Sequence, residues 1–128
     1  MNIDAESIAT GLDSVVIRRK GGRIIGGRTL NVEGWNDEHV KAGHIIIRGK
    51  NEDNEDDWKP MPVSGGAYAA LPEGYKYAGV LVRTVVKDDP CAAIQYDGEI
   101  NDKALPYSID SIRAALKAEL PTLVFDHD

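Results

Sequence analysis

Three histidines and a dense set of carboxylates are the side chains of this 128-residue chain best suited to chemistry. His39, His44 and His127 are each of a type that serves as general base or metal ligand, and Asp126-His127-Asp128 sets three cation donors in a row. Residues 51–57, Asn-Glu-Asp-Asn-Glu-Asp-Asp, are where calcium would be sought. An EF-hand loop needs glycine at its sixth position and glutamate at its twelfth; counted from Asn51 these are Asp56 and Pro62. The run reads instead as a solvated loop. There is no His-Glu-x-x-His, glycine-rich phosphate loop or Gly-x-Ser-x-Gly elbow. The lone Cys91 reads as a small buried hydrophobe, compatible with a reducing cytoplasm. No catalytic residue, metal ligand or cofactor is assigned, and the chain is not expected to be an enzyme. A small metal-dependent enzyme, built on an unrecognised constellation, is the weakest of the alternatives.

A second kind of chemistry, charge-driven binding, has a clearer signal. The net charge is -6, yet Arg18, Arg19, Lys20, Arg23, Arg28, Lys41, Arg48 and Lys50 crowd the first half of the chain. Within it, residues 15–20, Val-Val-Ile-Arg-Arg-Lys, are followed by Gly21-Gly22 and then Arg23-Ile24-Ile25, the pattern of a basic hairpin with a Gly-Gly turn. Gly26-Gly27 supplies a second joint before residues 29–32. A strand so tethered suits pairing with the edge of a partner's sheet, so Val15, Ile17, Arg18, Arg19, Lys20, Arg23, Ile24 and Ile25 are the candidate partner-binding residues. The same basic tip makes a nucleic-acid-binding or adaptor module an alternative. Against nucleic acid stand the overall negative charge and the lack of any aromatic residue between 15 and 28 to stack bases.

These residues must be positioned by a scaffold that composition describes as one compact domain. With 42% hydrophobic and 6% aromatic residues, the core has to be built mainly from valine, isoleucine, leucine and alanine. No apolar run is long enough for a membrane span, and the polar, acidic start is unlike a signal peptide, so no membrane association or export is expected. His44-Ile45-Ile46-Ile47 is continuous enough for a strand buried on both faces, and residues 58–63, with two prolines, suit an edge strand. Residues 77–86 and 92–96, joined by Lys87-Asp88-Asp89-Pro90, read as the central hairpin. Ser108 can N-cap a helix with Ile109, Ile112, Leu116 and Leu120 at helical spacing, Pro121 stops it, and Leu123-Val124-Phe125 returns as a strand. The expected class is α+β, mainly β: a small β-sandwich or barrel-like domain with one C-terminal amphipathic helix packed on the sheet. The expected division is a flexible arm over 1–14, a basic hairpin-like contact segment over 15–32 and a single β-rich domain over 33–128. On that division, deleting residues 1–27 leaves a folded domain that has lost its partner.

The Gly-Val-Leu-Val hairpin, Asp97-Gly98-Glu99-Ile100-Asn101, the spacer through Pro106, the helix and the last strand together resemble the core of tailed-bacteriophage capsid decoration proteins, with head fibre proteins a close variant. The resemblance covers about residues 43–125. It implies a structural virion protein, often trimeric, that sits at local symmetry points of the expanded head and clamps neighbouring copies of the major capsid protein. It likewise implies assembly in the bacterial host cytoplasm and a final place on the capsid surface. The longer basic hairpin and the acidic loop at 51–57 depart from the lambda-like type.

Overall fold

A computed structural model describes residues 13–127, so the arm expected at the N-terminus lies almost wholly outside the described residues. The protein is mainly β, 39% strand and 8% helical, with a curled sheet and one short C-terminal helix. Asp13–Val16 forms a single helical turn, α1, leading straight into β1, Ile17–Arg19.

The continuous isoleucine run becomes β4, Ile45–Lys50. It pairs antiparallel with β5, Asp56–Pro60, on one side and β8, Lys76–Leu81, on the other. Alternation sends Ile45 and Ile47 into one core and Ile46 into another, which is why three isoleucines in a row are all fully buried. The first core joins them to Tyr77, Val80, Ile100 and Leu116; the second joins Ile46 to Leu30, Leu81 and Ile94. β5 is the outer strand of this four-stranded sheet, as its proline predicts. Residues 51–55 form its connecting turn, closed by Asn51 Oδ1 accepting from the amides of Asp53 and Glu55. The acidic run therefore does not project whole. Asp56 and Asp57 belong to the strand, and Asp57 is buried with Asn31 Nδ2 and the Tyr75 hydroxyl donating to it.

The central hairpin is paired at its base and closed at its tip, where Val86 bridges to Asp89, but not between. β11, Ile94–Gln95, pairs with β8 through Ile94 with Leu81 and Gln95 with Val80. Beyond that the two arms part. β9, Val85–Val86, pairs with β3, His39–Val40, while β10, Cys91–Ala92, pairs with β2, Arg28–Thr29. Thr84 Oγ1 accepts the Ala42 amide at 3.0 Å where the first arm turns away. Cys91 is exposed, not buried; its neighbour Ala92 faces the core instead, because the two alternate across β10. β6, Val63–Ser64, and β7, Ala67–Tyr68, form a small separate hairpin.

The basic segment is not a hairpin. β1 pairs antiparallel with β12, Gly98–Asn101, matching Ile17 with Ile100, and Arg23 bridges to Gln95. The two arms thus lie against the domain rather than against each other, and Val16 is fully buried in the first core. The reason is an apolar face on residues 16–17 that a two-stranded ribbon could not cover. Gly98 makes the approach possible: at φ 121°, a Cβ there would stand 2.4 Å from the Arg19 carbonyl oxygen.

β13, Leu123–Asp126, completes this second sheet, parallel to β12. The connecting helix, α2, spans Arg113–Glu119 and starts later than Ser108 suggests. Ser108 Oγ accepts the Asp110 amide, and Ile112 N–H donates to Ile109 O, so a tight turn precedes the helix. The apolar stripe is as the spacing predicts, with Ile109, Ile112 and Leu116 buried and Leu120 packed beside them. Among the described residues no helix is long and apolar enough to cross a membrane.

Candidate functional surface

The eight candidate partner-binding residues do not share one face. Ile17 packs on the first core, and Ile24 lies against the second with its amide donating to Ile94 O at 2.9 Å. Arg18 Nη1 stands 2.5 Å from Asp126 Oδ1, Arg19 Nε lies 3.8 Å from Glu99 Oε1, and Arg23 Nε donates to Gln95 Oε1 at 3.3 Å. The basic tip is therefore spread along the sheet edge and largely engaged within the chain. Val15 is 45% exposed and Lys20 is exposed.

Ile25 is different: it is 93% exposed. It sits at the crest of a turn in which the Gly27 amide donates to Ile24 O at 3.3 Å, and Gly26 and Gly27 take φ of 81° and 67°. Arg28 fastens this turn, since its Nη1 donates to the carbonyl oxygens of Ile25 at 3.0 Å and Gly27 at 2.5 Å. The same guanidinium lies 5.2 Å from the Trp58 ring centre, with Arg48 at 5.7 Å. Cross-strand register then extends the row, because Arg48 opposes Trp58 on one side and Lys76 on the other. An aliphatic knob is thus presented beside a cationic shelf of Arg28, Arg48 and Lys76. An isoleucine held in water forgoes roughly 2 kcal/mol of burial, which a partner's apolar pocket can recover. The guanidinium forks are suited to carboxylates at the rim of such a pocket. The sequence shows Arg28 and Arg48 only as members of a basic first half, and nothing in it brings Trp58 and Lys76 beside them.

The histidines are scattered. His44 is buried in an aromatic box, its ring 5.0 Å from Trp35, 5.2 Å from Tyr68 and 5.7 Å from Tyr107, all near edge-to-face. Its Nε2–H donates to Met61 O at 2.9 Å. Burial lowers its pKa to about 4, against the opposing pull of that hydrogen bond. In the unfolded chain the ring takes up a proton near pH 6.5, whereas the fold holds it neutral. The stability this contributes is present above pH 6.5 and is lost as pH falls towards 4, about 3 kcal/mol in all. Urea denaturation at pH 7, 5 and 4, with His44→Gln beside the parent, checks this. The parent should lose more stability on acidification than the variant, and equal losses would remove His44 as the source.

His127 Nδ1 lies 2.7 Å from Asp102 Oδ1, and Arg113 Nη2 donates to Asp102 Oδ2 at 3.0 Å. Burial pushes the Asp102 carboxyl up, but these two partners overcome it and its pKa lies below the usual range. Asp126 thus ties β13 to β1 and His127 reaches the residue after β12, while Arg113 at the start of α2 donates to Phe125 O, so the two side chains do not point at a common centre. Among the described residues no three His, Cys, Asp or Glu side chains are grouped to hold a metal ion.

Comparisons of the chain with protein-family models, with curated proteins and with solved structures give no match.

Proposed function

We propose that the chain is a structural virion protein that decorates and stabilises the expanded capsid of a tailed bacteriophage. On this reading the small sandwich or barrel-like body is a rigid carrier, and the Ile25 knob with its cationic shelf docks on the major capsid protein. The observation that carries it is an isoleucine left 93% exposed on a turn that Arg28 pins in place beside the Arg48 guanidinium, an apolar anchor with arginines at its side. A surface this small binds weakly once. Several linked copies, a trimer foremost, on a repeating lattice would multiply that weak contact through effective concentration.

Co-sedimentation with expanded heads of the cognate phage tests the reading. Ile25→Asp should leave thermal stability within about 0.5 kcal/mol of the parent, since the side chain is in solvent, yet reduce binding to heads at least tenfold. Undiminished binding would exclude the knob as the docking element. The shelf of Arg28, Arg48 and Lys76 favours a second reading, contact with nucleic-acid phosphates. Trp58 already carries both guanidiniums, so bases have little ring face to stack on. Retardation of DNA at low salt that Arg28→Ser and Arg48→Ser abolish would favour this reading over the first.

A further inference from the structure

A groove of about 690 Å³ opens between residues 31–39, the end of β5 with the residues that follow it, and Tyr107. Trp35, Pro60, Pro62 and Tyr107 give it an apolar side, while Glu33, Asp37 and Glu38 stand around it against one lining lysine, Lys59. All three acids are exposed, and the Glu33 and Glu38 carboxylates make no hydrogen bond or ion pair among the described residues. The wall is built before any ligand arrives. Asn31 N–H donates to Trp58 O at 2.6 Å, Trp35 Nε1–H to His39 O at 3.0 Å, and Lys87 Nζ to Trp35 O at 2.5 Å. Trp35 and Tyr107 are further held edge-on against the buried His44 ring. A ligand therefore meets a preformed surface and little ordering has to accompany binding.

We propose that this groove binds an extended basic peptide segment of a partner protein, one in which lysine or arginine alternates with proline or other apolar residues. The unpaired carboxylates select a cation and repel phosphates. The aromatic and proline side suits the aliphatic stems of those cations and the rings of an extended proline-containing chain. The space is too large for one ammonium group, and the three acids are not grouped to hold a metal ion. The chain's own basic residues are poor occupants, because Arg18, Arg19 and Arg23 are engaged with Asp126, Glu99 and Gln95. The groove is distinct from the Ile25 knob, and the inference does not rest on a virion role.

The test is a nuclear magnetic resonance titration of the full chain with a synthetic six-residue peptide alternating lysine and proline. Saturable shifts are expected at the Trp35 indole N–H and over residues 33–39 and 59–63. Affinity should fall several-fold between about 50 and 300 mM salt, and about tenfold in the double variant Glu33→Gln, Glu38→Gln. Both positions are exposed, so the variant is expected to fold; a melting curve on the same sample checks this. The proposal is overturned by an absence of saturable shifts at millimolar peptide, by an equal response to a glutamate–proline peptide, or by a folded double variant that binds unchanged. Free lysine reproducing the full response would overturn the peptide assignment in favour of a small-cation site.

Discussion

A chain that begins at Arg28 is expected to lose its cooperative fold. Removing residues 1–27 takes away the fully buried Val16, the core contact of Ile17, and the pairing of β1 with β12. It also strips the buried Gln95 amide of the Arg19 carbonyl to which it donates at 3.1 Å. Two aliphatic side chains are worth roughly 2 kcal/mol each, and an orphaned buried amide costs about 1–3 kcal/mol more. The sum, at least about 5 kcal/mol before any strand bonds, matches the whole stability of a marginal domain. Far-UV circular dichroism through a thermal melt, with amide dispersion by nuclear magnetic resonance, checks it. A sharp melt close to that of the full chain would show that β12 does not need its N-terminal neighbour.

Leu116→Asp should have a comparable effect from the other end of the chain. Leu116 is 1% exposed, in the core that α2 shares with Ile45, Ile47 and Tyr77. The substitution loses the leucine burial and sets an unpaired carboxylate among apolar side chains, a penalty of several kcal/mol beyond the cavity itself. No folded population is expected at neutral pH. Leu116→Ala gives the graded counterpart, destabilised by about 3 kcal/mol with its fold retained, measurable by urea denaturation. Parent-like stability in the aspartate variant would mean that α2 does not seal this core.

What periodicity reveals is which face a residue takes, and it was legible here wherever a run had one answer. The three isoleucines of β4 allowed only a strand covered on both sides, and the 109–120 stripe allowed only a helix with one buried face. Periodicity does not reveal partners. Residues 15–25 alternate well enough for a hairpin, but their pairing depended on Ile100 and Gln95, far along the sequence. Cys91 departs from the burial expected of a lone cysteine because an alternating pair next to a proline leaves open which member faces inward, and Ala92 takes that place. The helix began late because Ser108 caps a tight turn, which uses the same side-chain oxygen as a helix start. On the candidate surface the exposed Ile25 lay within the suspected segment, whereas Arg28, Trp58, Arg48 and Lys76 come together only through a register that spacing cannot supply.

The second sheet places β1 and β13 on either side of β12, so the first and the last of the described strands are neighbours of one strand. During synthesis β1 is made about 80 residues before β12 and must wait that long before its partner exists. The helix and last strand, by contrast, are local to β12 and can dock as soon as they are made. Closing the loop that joins β1 to β12 is the entropically demanding event, because pairing strands so far apart in sequence pays loop-closure entropy before any contact rewards it. Until that event the Val16 face and the open edge of β12 stay uncovered together, and that interval, rather than the finished fold, is when the chain is most exposed to misassociation.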